Sequence, residues 1–160
     1  MSTLIRDRYN DFRRTNEQED SALIGVIFGK KGSGKTKQIL NHANETAKTA
    51  KGSIVFIDDD NSYMFELASS IRFINASDYE IRSSKMLYGF ICGIAAQDHD
   101  LECIYIDGFK SYIHHSLEDL KGFFQALSRF SDKTGTNVVL SISGSEELPD
   151  YLKDMTTEIE

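Results

Sequence analysis

Residues 26–40 read VIFGKKGSGKTKQIL. Three glycines and three lysines fall within positions 29–36, between an apolar run and the start of a helical pattern. The chain must turn there, and glycine keeps the turn free of side chains. Upstream, ALIGVIF (22–28) is a continuous apolar run with branched residues, as expected of a strand covered on both faces. Downstream, Ile39, Leu40, Ala43 and Ala47 recur at helical spacing from Lys35 to about Ala50, and Gly52 marks the exit.

Further strands are predicted at SIVFI (53–57), IRFIN (71–75), ECIYI (102–106) and NVVLSI (137–142). Between them a short helix is expected over 63–70, and a longer one over 83–97 carries Leu87, Phe90, Ile91, Ile94 and Ala95 on one face. Gly89 and Gly93 are expected to let that helix lie close against its neighbour. Ser116 and Asp119 resemble a capping box, followed by the stripe Leu117, Leu120, Phe123, Phe124, Leu127 and Phe130 and an exit near Thr134 and Gly135. Strands joined by helices run parallel, so the predicted architecture is α/β, a three-layer α/β/α fold with a mainly parallel sheet. Ligands in such sheets gather at the C-terminal strand ends.

The chain of 160 residues has room for one core, and 40% hydrophobic with 27% charged residues is ordinary globular composition. Its net charge of −7 is uneven: −1 in residues 1–20, −5 in 146–160, leaving −1 for the middle. No basic stripe suits a nucleic-acid backbone. There is no apolar stretch long enough to span a membrane and no apolar leader at the N-terminus, which points to a cytoplasmic chain. Cys92 and Cys103, both in apolar segments, read as reduced core thiols. The expected division is an N-terminal arm (1–20) with Ile5, Tyr9 and Phe12 on one side of an amphipathic stretch, a main folded domain (21–145), and an acidic tail (146–160) that is a short helix or a solvated end.

Gly29, Gly34, Lys35 and Thr36 satisfy G-x-x-x-x-G-K-[ST] between a strand and a helix. Polyphosphate needs many donors at close range, so the amides from Lys31 through Gly32, Ser33, Gly34 and Lys35 to Thr36 are expected to face it. The stretch resembles the Walker A loop of P-loop nucleoside triphosphatases, which implies ATP with Mg²⁺, Lys35 on the β and γ phosphates, and Thr36 as a metal ligand. Asp107, ending an apolar strand, is similar to the family's Walker B aspartate and is the second expected metal ligand. Many relatives follow that aspartate with Glu; here the position is Gly108, which implies slow or partner-stimulated hydrolysis.

GKKGSGKT also resembles the deviant Walker A form, in which an early lysine, matching Lys30, reaches across a nucleotide-bound dimer. VFIDDDN resembles the D-x-D segment of partitioning and cell-division-site ATPases, with Asp58 and Asp60 matching its two acids and Asp60 as the partner of the attacking water; the same aspartates also suit a polar turn. As a whole the chain looks most similar to small single-domain bacterial ATP-binding proteins. Ser141 and Ser143 are candidate phosphate sensors or plain turn residues, and Lys110, His114 and His115 lie in a loop suited to a partner. The expected function is an ATP-dependent switch with a homodimer or protein partner; the alternatives are a nucleoside-type kinase and a nucleotide-binding scaffold without turnover.

Overall fold

A computed structural model of the chain describes residues 22–145 and 147–159. Strands form where the apolar runs lie: β1 (Ile24–Gly29), β2 (Ser53–Asp58), β3 (Ile71–Asn75), β4 (Leu101–Ile106) and β5 (Asn137–Ser143). A sixth, β6 (Thr157–Glu158), follows near the end. The helices are α1 (Lys35–Thr49), α2 (Ser84–Gln97), α3 (Lys121–Thr134) and α4 (Asp150–Met155). Every strand pairing is parallel, in the order β3-β2-β4-β5-β1-β6.

Successive side chains on a strand point to opposite faces, and here both faces are apolar. Along β4, Cys103 and Tyr105 join one buried cluster, whereas Ile104 and Ile106 join another. The first cluster takes Ile39, Leu40 and Ala43 from α1. The second takes Leu87 and Ile91 from α2, Phe123, Phe124, Leu127 and Phe130 from α3, and Leu152 from α4. Helices therefore cover both faces.

The crossovers explain where a crevice opens. Chain leaving β1 and β2 packs on the α1 side, where Leu67 and Ala68 meet that cluster, whereas chain leaving β4 and β5 packs on the other side through Phe109, Ile113 and Leu148. β1 lies beside β5, and β2 beside β4. At both junctions neighbouring strands send their chains apart, which leaves open space beyond their C-terminal ends.

Several expectations need correction. The helix over 63–70 shrinks to a 3₁₀ turn, Met64–Glu66. Gly89 and Gly93 make no close approach: a methyl group on either would meet nothing within 4 Å. The segment after Asp107 is not an open loop, because Phe109–Tyr112 forms a helical turn with Phe109, Tyr112 and Ile113 buried. Of the two alternatives for the acidic tail the short helix, α4, holds, and the segment is built into the molecule: Leu148 and Leu152 are buried, β6 pairs with β1, and the Ile159 amide donates to the Val26 carbonyl at 2.8 Å. Cys92 and Cys103 are free thiols; burial pushes Cys103 up to about 12, so it packs rather than reacts. The N-terminal arm, 1–20, lies outside the described residues.

Candidate functional site

The glycine-lysine loop turns on two left-handed residues, Gly32 (φ 81°) and Gly34 (φ 89°), a region that side-chain-bearing residues enter at a cost. The Ser33 amide closes the turn on the Lys30 carbonyl at 3.1 Å. Gly29 matters for space, since a methyl group there would lie 2.6 Å from the Ser33 Oγ. α1 starts immediately afterwards, with Gly34 as a cap that offers no side-chain oxygen and no acidic residue in the first turn. The N–H groups of Lys35, Thr36 and Lys37 thus open a helix without an intrahelical acceptor, a positive end suited to an anion.

Lys35 is buried at 9% exposure and its Nζ donates to the Lys30 carbonyl at 2.8 Å. Burial holds the Lys35 ammonium below the usual lysine range, and the Asp107 carboxylate pulls it back up. Asp107 follows β4 and is itself buried; its Oδ1 accepts from the Ser141 hydroxyl on β5. The Ser141 side chain thus ties β5 to the acidic side of the site.

Opposite lies the end of β2. Asp58 is 2% exposed, its Oδ1 accepts from the Asp59 amide at 2.8 Å, and its Oδ2 has no partner among the described residues. Burial, reinforced by the Asp107 and Asp59 carboxylates, pushes Asp58 up to about 8. Tyr112 sits near the same three carboxylates; burial first, then their charge, raises its phenol. Gly108 takes φ 66°, bringing its backbone against the acids: a methyl group there would lie 2.9 Å from Asp59 Cγ and Oδ1.

These parts surround one cleft of about 770 Å³. Lys31, Gly32, Gly34, Lys35, Thr36 and Lys37 form its basic wall, Asp58, Asp59 and Asp107 its acidic wall, with Ser141 and Ser143 between; it continues along α1 to Asn41, Tyr63 and Glu66. Of the expected residues, Gly29, Lys30 and Ser33 brace the loop from outside this lining, and Lys30 is exposed. Asp60 also lies outside: exposed, its Oδ1 accepts from the Ser62 amide at 2.7 Å, which lowers its carboxyl. Asp59, Asn41 and Tyr63 were not expected. Three consecutive aspartates carry no periodicity to choose among them; the turn made by Asp58 on the Asp59 amide does. Lys110 also lines the cleft, with its ammonium on the His115 carbonyl.

Comparison with known proteins finds no matching family model and no similar curated protein. Among the described residues no helix is long and apolar enough to cross a membrane.

Proposed function

We propose that the cleft binds ATP with magnesium, that the sheet is a three-layer P-loop nucleotide-binding fold, and that the chain is a slow or partner-stimulated ATPase acting as a switch. One observation carries this reading: an uncapped helix N-terminus, two left-handed glycines, Lys35 and Asp107 converge on one cleft at the C-terminal rim of a parallel sheet. The first-turn amides receive phosphate oxygens, and Lys35 exchanges the Lys30 carbonyl for the β and γ phosphates.

Thr36 and Asp107 line the same cleft, and with Ser141 on Oδ1 the aspartate keeps a second oxygen to offer. A hydroxyl and a carboxylate are hard donors that suit a magnesium ion whose other ligands are phosphate and water. Thr36 and Asp107 would hold the ion from the protein side, and phosphate oxygens and water would supply its remaining ligands. Bound there, magnesium offsets charge developing on the phosphates.

Titrating the protein with Mg·ATP gives saturable binding, and Lys35→Ala weakens it at least tenfold; equal binding by the variant rejects the reading. A second reading, transfer of phosphate to a small acceptor, draws on the extension of the cleft to Asn41, Tyr63 and Glu66. ATP consumption that requires an added nucleoside would select it. Binding without any turnover selects the scaffold.

A further inference from the structure

Resting on the ATPase reading, we propose that Asp59 supplies the carboxylate that the residue after Asp107 does not. The position after Asp107 is Gly108, held at φ 66°. The room a side chain would take there is already filled: a methyl group on Gly108 would lie 2.9 Å from Asp59 Cγ and Oδ1, and 3.2 Å from Asp58 Oδ1. The acid has moved from the end of β4 to the end of β2, the strand hydrogen-bonded beside it.

The two β2 acids divide the work. Asp58, 2% exposed, spends Oδ1 on the Asp59 amide and lines the cleft with an Oδ2 that has no partner among the described residues. It is a positioning residue, fixing the turn that points the chain of Asp59 toward Gly108. Asp59 is half-buried and lines the cleft, its carboxylate lying against Gly108 and beside the Asp58 carboxyl. Asp60 is turned away on Ser62.

In the reaction the water oxygen bonds to the γ phosphorus as the bond from that phosphorus to the β–γ bridging oxygen breaks. The electron pair leaves with the nucleoside diphosphate, and the proton passes to the Asp59 carboxylate and then to solvent. A positioned base of this kind contributes roughly 10²–10⁴-fold.

The test measures Mg·ATP affinity and single-turnover hydrolysis in the whole chain for wild type, Asp59→Asn, Asp60→Asn and Gly108→Ala. Expected are Asp59→Asn affinity within threefold of wild type with hydrolysis slowed about 100-fold or more, and a fall in hydrolysis for Gly108→Ala, whose methyl group displaces the carboxylate, without loss of affinity. Wild-type hydrolysis by Asp59→Asn, or a loss confined to Asp60→Asn, overturns the assignment while leaving nucleotide binding intact. Binding by wild type without turnover also overturns it, and failure of wild type to bind Mg·ATP removes the parent reading with it.

Discussion

Asp58 is the residue whose surroundings do most to its chemistry. Its folded-state pKa of about 8 stands far above the unfolded carboxylate value, so the native state holds a proton there that the unfolded chain has released. The native state therefore binds more protons between about pH 4 and 8. Stability from this group is complete below the unfolded value and is lost as pH rises toward 8, with a slope of up to about 1.4 kcal/mol per pH unit. Asp58→Asn keeps an oxygen for the Asp59 amide and cannot ionise. Urea unfolding at pH 5 and pH 8 should show wild type losing stability relative to Asp58→Asn as pH rises; parallel behaviour would remove the assigned proton. That Asp59 lines the cleft and Asp60 does not was invisible in DDD, because it depends on which carboxylate caps which amide.

At the scale of elements, glycines that look alike in sequence have opposite roles. Gly52 enters β2 against backbone: a methyl group there would lie 2.0 Å from the Asp100 carbonyl oxygen, which also accepts the Ser53 amide at 2.7 Å. Gly52→Ala should lower stability by about 1–3 kcal/mol, as overpacking against an immobile group does. Gly89, exposed in α2 with open space around it, should behave in reverse, Gly89→Ala raising stability by about 0.5–1 kcal/mol. Thermal melts of the two variants check the pair of signs. The strands with continuous apolar runs were legible because burial on both faces demands such runs. β6 was not, since Thr157 and Glu158 are exposed and polar and are recruited by the Val26 carbonyl and by the packing of Ile159 over Gly25.

For the molecule as a whole, the end of the chain tests how the sheet is closed. Charge marked residues 146–160 as an acidic tail, yet Leu148 and Leu152 are buried in it, with Tyr151 and Met155 packed beside them, and complete the α2–α3 side. Fully burying a leucine contributes about 1.5–3 kcal/mol, so ending the chain after Ser145 should cost roughly 3–6 kcal/mol. A truncated chain melting with the full-length protein would show the segment to be dispensable. The glycine-lysine turn was legible because glycines mark the positions, Gly32 and Gly34, where the backbone takes positive φ. The second acid, Asp59, came to the site through the order of strands, which no local pattern encodes.

α1 has two duties at once. Its first turn forms the basic wall of the cleft, while Ile39, Leu40 and Ala43 roof one side of the sheet. Asn44 also ties it to the neighbouring crossover, through the Glu66 carbonyl at 2.9 Å and the Ala68 amide at 2.8 Å. Whatever occupies the cleft therefore grips an element that the native state cannot lose. By mass action, a ligand at a hundred times its dissociation constant raises the unfolding free energy by about 2.7 kcal/mol, so occupancy is legible in the melting curve even where no chemistry follows.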